Sequence, residues 1–111
     1  MGDQSERKEV HQVFADMKEK YVVIHSFMVD ELGLKGNELM IFAIIYGFSQ
    51  DGESYFKGSL AYLMEWTGAS KVTVIKSLKS LVEKGYIEKI GYADFPNRFD
   101  YQAKIYHGKE I

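Results

Sequence analysis

The sequence predicts a mainly α-helical domain that ends in a small β-hairpin, an α+β fold, and three observations support this. Apolar residues recur at helical spacing before residue 50 and again between residues 59 and 84. A glycine-containing break at Gly68 and Ala69 joins the last two helical patterns closely. After Gly85 the pattern changes to the alternation that is typical of strands. A chain of 111 residues has room for one domain with one core.

The N-terminal segment 1–20 is predicted to form an amphipathic helix ahead of the main domain, 21–111. Its apolar face packs either on the core or on a second copy of the protein, and the residues leave both readings open. The candidate homodimer contacts on this face are Val10, Val13, Phe14 and Met17.

The next segments are predicted to be a short extended stretch and then a core helix. "YVVIHSFMV" (21–29) is β-branched and aromatic, which is typical of a strand. Asn37 is a candidate N-cap, and the apolar run Leu39–Tyr46 has no polar side. Such a helix must be surrounded, either at the centre of the core or in a subunit interface. "SYFKG" (54–58) is a candidate short strand.

Two helices follow, joined by a tight turn. Ser59 or Gly58 starts the first, and Gly68 can adopt a positive φ in the turn. Ser70 is predicted to cap the second helix by accepting a hydrogen bond from a backbone N–H two or three residues later. Gly85 stops this helix. Its inward stripe is predicted to be Val74, Leu78, Leu81 and Val82, with Ile75 at the edge.

The C-terminal part is predicted to be a hairpin of "YIEKIGY" (86–92) and "FDYQAKIY" (99–106). Pro96-Asn97 is the candidate turn. The second strand alternates, which predicts one apolar and one polar face. The first is less regular, because Ile87 and Ile90 have opposite parity, so either a bulge or a short strand is expected there.

The predicted order of helix, strand, helix, turn, helix and hairpin is that of a winged helix-turn-helix, in which the second helix of the pair enters a major groove. Local charge agrees with this interpretation. Residues 70–84 carry four lysines and one glutamate in a chain whose net charge is −2. This segment is therefore a candidate for contact with a phosphate backbone. The alternative is an ordinary solvated helix face.

The candidate DNA-binding residues combine hydroxyl groups, which can approach base edges, with cations that reach phosphates. Arg98, in the hairpin, is a candidate for phosphate or minor-groove contact, the alternative being a solvated side chain. The candidate DNA-binding residues on the second helix are Ser70, Lys71, Thr73, Lys76, Ser77 and Ser80.

A family resemblance adds to this reading. "LKGNELMIFAIIYGFSQDG" followed by "FKGSLAYLMEWTGASKVTVIKSLKSLVEKGYIEK" resembles the N-terminal winged-helix domain of replication initiators and replisome organizers. Those proteins come from plasmids, phages and integrated mobile elements of Gram-positive bacteria. The resemblance covers about Ser26 to Lys89 and implies DNA binding, often ahead of a C-terminal region that handles partner proteins. It places Ser70, Lys71, Thr73 and Lys76 at DNA-facing positions.

Other functional classes find little support in the sequence. The three histidines have no metal-ligand spacing, and there is no cysteine. No catalytic constellation or phosphate-binding loop is visible, so neither an enzyme nor a cofactor is expected. The longest apolar run has eight residues, too few to span a membrane. These features suit a cytoplasmic protein.

Two functional hypotheses remain. The first is sequence-specific binding of double-stranded DNA, either as the origin-binding part of a replication initiator, together with other replication proteins, or as a transcriptional regulator. The second is a winged helix used as a protein-interaction module, which the pI near 5.9 would suit. Salt dependence separates them, because phosphate contacts release counterions and apolar contacts do not.

Overall fold

The structure, a computed structural model, describes residues 21–50, 52–106 and 109–110. The predicted N-terminal helix and its dimer contacts therefore lie outside the described residues. Within the described part of the chain, no helix is both long and apolar enough to cross a membrane. The helices are α1 (Ser26–Asp30), α2 (Gly36–Phe48), α3 (Leu60–Thr67) and α4 (Lys71–Glu83), and the strands are β1 (Ile87–Tyr92), β2 (Phe95–Ala103), β3 (Ile105–Tyr106) and β4 (Lys109–Glu110).

Helix α2 is the centre of the core. All six residues from Ile41 to Tyr46 are buried within this chain, which confirms the prediction of a surrounded helix and favours the core over a subunit interface. Phe42 is fully buried, and its ring centroid lies 6.4 Å from that of Phe27 and 6.3 Å from that of Tyr86. These ring contacts tie α1 and the start of the hairpin to the same central helix.

The N-terminal region differs from the prediction. Residues 21–25 carry no regular secondary structure, and Ser26–Asp30 form helix α1, so the prediction of a strand or extended segment is wrong for Ser26–Asp30. Phe27 and Met28 are buried, so contact with the core has overridden the local β preference. The N-cap of α2 is Lys35 and not Asn37.

The corner between α3 and α4 forms as predicted. The Ser59 hydroxyl accepts a hydrogen bond from the backbone N–H of Tyr62 at 3.2 Å and caps α3. Gly68 ends α3 with φ of 71°, a left-handed conformation that costs glycine little. Ser70 then caps α4 by accepting from the N–H of Thr73 at 3.2 Å.

Helix α4 is held on the domain by one apolar stripe. Val74, Leu78 and Leu81 are buried, as predicted, while Val82 is half-buried and Ile75 is exposed. Gly85 follows the helix with φ of 79° and directs the chain into β1. The opposite side of α4 is therefore presented to solvent.

Strands β1 and β2 pair antiparallel, from Ile87 with Ala103 to Gly91 with Phe99, and then Tyr92 with Phe95. The predicted turn at Pro96-Asn97 is wrong, because the chain reverses at Ala93-Asp94. The expected irregularity lies between Gly91 and Tyr92, where residues 96–98 have no partner in the β1 register. A proline is tolerated at such a bulge, where no ladder hydrogen bond is needed.

Strand β2 does not have the predicted polar outer face. Asp100 and Gln102 are buried beside Tyr101 and Ala103, because specific hydrogen bonds satisfy their polar groups. The Gln102 side-chain amide donates to the carbonyls of Gly52 and Ser54, each at 3.2 Å. A loop therefore covers the face that alternation assigns to solvent.

The predicted strand at 54–58 is reduced to one bridge. Phe56 and Tyr101 exchange backbone hydrogen bonds of 2.7 and 3.0 Å. The buried Phe56 ring lies over Gly58, where a Cβ atom would stand 2.4 Å from the ring. Gly58 is thus needed for this close approach.

Candidate nucleic-acid interface

The solvent side of α4 presents one narrow strip of side chains. At 100° per residue, the side opposite Val74 and Leu81 is occupied by positions 72, 76, 79 and 83, with position 75 beside them. Val72 is 62% exposed and Ile75 is 44% exposed. Lys76 and Lys79 are also exposed. The strip therefore combines two aliphatic side chains with two cations, and Glu83 stands at its C-terminal end.

The predicted outward orientation of Ser77 is wrong. Ser77 is only 8% exposed because it lies on the same side of the helix as Val74 and Leu81, so its hydroxyl cannot contact a base edge. Ser80 is half-buried, and the interaction of its hydroxyl with Glu38 on α2 helps to lower the pKa of that carboxyl group. Both hydroxyls thus face the domain and not the solvent strip.

The N-terminal turn of α4 keeps its hydroxyl groups engaged locally. The Ser70 hydroxyl donates to the Thr73 hydroxyl oxygen at 3.1 Å while it caps the backbone N–H of Thr73. Ser70 is exposed and Thr73 is half-buried. Their first role is to fix the start of the helix. Lys71, between them, is exposed and directed toward the hairpin side.

A groove of about 960 Å³ lies between α4, the start of α3 and the hairpin. Its floor is largely apolar and includes Leu60, Met64, Leu78 and Val82. Among the described residues that line it, Asp100 is the one carboxylate, and it is 1% exposed. The cations that line the groove are Lys57, Lys71, Lys79, Lys89 and Arg98.

Two of these cations are held in place by the hairpin. The Lys89 ammonium lies 4.0 Å from the centroid of the Phe99 ring. The Arg98 guanidinium lies 4.7 Å from the centroid of the Tyr92 ring, and its Nη2 is 3.5 Å from Oδ2 of Asp100. Such contacts restrict the long side chains before any ligand arrives.

The carboxylate of Asp100 organises this end of the hairpin. Tyr92 donates its phenolic hydrogen to Oδ2 of Asp100 at 2.5 Å, across the two strands. This hydrogen bond, with burial and the negative charge of Asp100 adding to it, raises the pKa of Tyr92 above its ordinary value of 10.0. The Tyr92 hydroxyl therefore gives up its proton less readily than a free tyrosine does and keeps its donor role.

At the other end of α4 the electrostatics are structural. Lys84 Nζ lies 2.8 Å from Oε1 of Glu38, and so joins α4 to α2. Burial alone would raise the pKa of Glu38, but hydrogen bonds from Lys84 and Ser80, together with the charge of Lys84, lower it overall. One of the four lysines of the basic segment is thus directed away from the solvent strip.

Sequence reasoning missed five residues of this surface. The inward stripe of α4 places position 77 on the buried side, and the same helical angles place Val72, Ile75 and Lys79 outward. These three residues could therefore have been predicted from the sequence. Lys57 and Lys89 are distant in sequence and meet α4 only through the chain fold, so no local signal was available.

The fold and the exposed second helix define a winged helix-turn-helix domain. A family described as "Helix-turn-helix domain" matches residues 32–87, and the chain belongs to this family. A solved structure described as "N-Terminal domain of DNA binding protein" has a similar fold, with a TM-score of 0.54 and 22% sequence identity. The similarity covers 82% of this chain and 79% of that one. No curated protein matches the chain.

Proposed function

We propose that this domain binds double-stranded DNA, with α4 in the major groove and the hairpin against the adjacent backbone. One observation carries the proposal: the solvent side of α4 and the groove beside it bring together cations from three parts of the chain. Lys57 precedes α3, Lys71 and Lys79 lie on α4, and Lys89 and Arg98 lie on the hairpin. Helix-turn-helix proteins dock their second helix in this way.

The distribution of charge supports the proposal in spite of the net charge of −2. An anionic duplex responds to the local field at its contact surface, and the groove carries five cations against one buried carboxylate. The solved structure with a similar fold is the N-terminal domain of a DNA-binding protein, which agrees with this interpretation.

We further propose that the domain is the origin-binding part of a replication initiator or replisome organizer of a mobile element, acting in the cytoplasm with other replication proteins. The support is the resemblance of the segment from Ser26 to Lys89. Transcriptional regulation by the same docking mode is the alternative. Footprinting on the DNA that flanks the gene separates the two roles, since an initiator protects repeated sites at an origin and a regulator protects a promoter.

A homodimer is proposed because one recognition helix covers only a few base pairs, and two copies on a repeated or palindromic site increase both affinity and specificity. Its proposed contacts are Val10, Val13, Phe14 and Met17. Sedimentation of the full chain and of the variant Val13→Lys/Phe14→Lys tests this. A dimer that persists in the variant contradicts the assignment.

The direct test of DNA binding is a charge reversal on α4. Lys71→Glu/Lys76→Glu is expected to abolish binding to any duplex, because both exposed side chains then repel phosphates. Lys35→Glu, at an exposed position that caps α2, is the control for the two single reversals, Lys71→Glu and Lys76→Glu, and is expected to keep most of the affinity. Fluorescence anisotropy measures binding, and circular dichroism verifies the fold. Unchanged binding by the folded double variant would refute the docking face.

One observation favours the alternative of a protein-interaction module, namely the exposure of Val72 and Ile75 on the same strip. An apolar partner surface would bury them without phosphate contacts. Its affinity would then hardly change between about 50 and 200 mM salt, whereas duplex binding through several phosphates would weaken by orders of magnitude.

A further inference from the structure

The solvent strip of α4 has an unusual composition for a surface that reads base edges. Its uncharged members are Val72 and Ile75, since Ser77 and Ser80 face the domain. Both are β-branched, so neither is favoured by helix propensity at an exposed position. At 62% and 44% exposure, both leave apolar area in solvent that the core does not cover, and Ile75 also lines the groove. Stability of the isolated domain therefore does not account for them.

The spacing of the strip gives the two aliphatic side chains a common setting. Val72 and Ile75 are three residues apart and so are neighbours on the helix surface. Lys76 follows Val72 by one turn, and Lys79 follows Ile75 by one turn. The long cations can reach phosphates on either side, which leaves the short apolar side chains to meet the floor of a major groove.

In the major groove, the C5-methyl group of thymine is the one apolar group on a base edge, and aliphatic side chains contact it. We propose that Val72 and Ile75 are specificity-determining residues that recognise thymine methyl groups. The inference rests on the proposed DNA binding and names the base that α4 selects. It assigns readout to apolar contact in place of the hydrogen bonds that the hydroxyl residues were expected to make.

The experiment removes the methyl group and nothing else. A duplex that the wild-type protein prefers is selected from a randomised library, and each thymine in it is replaced singly by uracil. At one or two adjacent positions, the replacement is expected to weaken binding about fourfold, the value of one buried methyl group. Replacement at the other positions is expected to have no effect.

Val72→Thr identifies the protein side of the contact, because threonine keeps the shape of valine and replaces one methyl with a hydroxyl. We expect this variant to weaken the preference for thymine over uracil at one position, because threonine keeps only one of the two methyl groups of valine, and to keep its salt dependence. Val29→Thr, at a 46% exposed valine of α1, is the matched control and is expected to keep the preference. The double-mutant cycle between residue and methyl group measures their direct coupling.

The outcomes separate the two levels of the proposal. Selective duplex binding in which no thymine-to-uracil change has an effect would overturn the methyl readout and leave DNA binding standing. Equal discrimination by wild type and Val72→Thr at every position would remove Val72 from this role, and the same comparison with Ile75→Thr would remove Ile75. Failure of the wild-type protein to bind any duplex would overturn both the readout and the proposed function.

Discussion

Lys79 is the most informative single cation of the proposed interface, because it belongs both to the solvent strip of α4 and to the lining of the groove. Replacing it with alanine removes one charge without touching the core, since the side chain is exposed. We expect Lys79→Ala to weaken binding to all duplex sequences by a similar factor, as loss of a phosphate contact should.

The size of the effect follows from counterion release. The five cations of the groove and the exposed Lys76 give up to six phosphate contacts. At about 0.9 released ions per contact, log K should fall with log salt at a slope of about −5 for one copy. Lys79→Ala should reduce the magnitude of this slope by about 0.9. It should weaken binding about fivefold at about 0.15 M salt, since each released ion is diluted into that concentration.

Fluorescence anisotropy with one labelled duplex, titrated at several salt concentrations between about 50 and 200 mM, gives both quantities. Lys35→Ala is the control, because it removes the same charge from an exposed lysine outside the groove and the strip. It is expected to leave the slope unchanged. A slope for Lys79→Ala equal to that of the wild type would show that α4 does not lie along the phosphates as proposed.

Three further predictions concern buried and paired groups. Ser77→Ala should leave affinity and sequence preference unchanged in a duplex-binding assay, because the residue is 8% exposed; an altered preference would show that this side of α4 meets DNA. Ser49→Ala should lower the free energy of unfolding by about 1–3 kcal/mol in urea titrations, because the buried Ser49 hydroxyl accepts a hydrogen bond from the N–H of Ala103 at 3.0 Å. An unchanged free energy of unfolding would contradict this. Glu38→Gln should flatten the pH dependence of stability: the lowered pKa of Glu38 adds stability that is complete above the ordinary value of 4.5 and is lost as pH falls through the folded value. Thermal unfolding of the wild type and of Glu38→Gln between about pH 3 and 6 measures this pH dependence. The difference in the free energy of unfolding is expected to be below about 1 kcal/mol, because Lys84 is exposed. Parallel curves of stability against pH for the two proteins would contradict the prediction.

The sequence predicted the helices of the motif well because their signals are local. Ser59, Ser70, Gly68 and Gly85 each act through hydrogen bonds or backbone angles within a few residues, and all four took the predicted roles. The continuous apolar run of α2 also has one physical solution, which is complete burial.

The errors arise where distant parts of the chain decide the outcome. Alternation assigned Asp100 and Gln102 to solvent, but a loop and the Tyr92 hydroxyl satisfy them in the interior. The segment Ser26–Asp30 has strand-like composition and becomes helical because Phe27 packs against α2. The wrong turn at residues 96–97 has the same origin, because the bulge in β2 accepts the proline without reversing the chain.

The error at Ser77 changes the proposed chemistry and not only a residue list. Small hydroxyl residues suggested readout by hydrogen bonds. The apolar stripe of α4 instead sets the orientation of the helix so that Ser77 faces the domain, while Val72 and Ile75 face the solvent. The periodicity that fixed Val74 and Leu81 in the core already contained this information.

The polarity of the strip gives the proposed docking a direction along α4. Val72 and Lys76 lie in the first half of the helix, whereas Glu83 ends the strip and would repel a phosphate. The closest approach to DNA should therefore be at the N-terminal half of α4, and the C-terminal end, which Lys84 and Glu38 fasten to α2, should stand away from the duplex. Recognition helices of this motif commonly present their N-terminal residues to the bases, and here the charge order along a single helix is sufficient to favour that orientation.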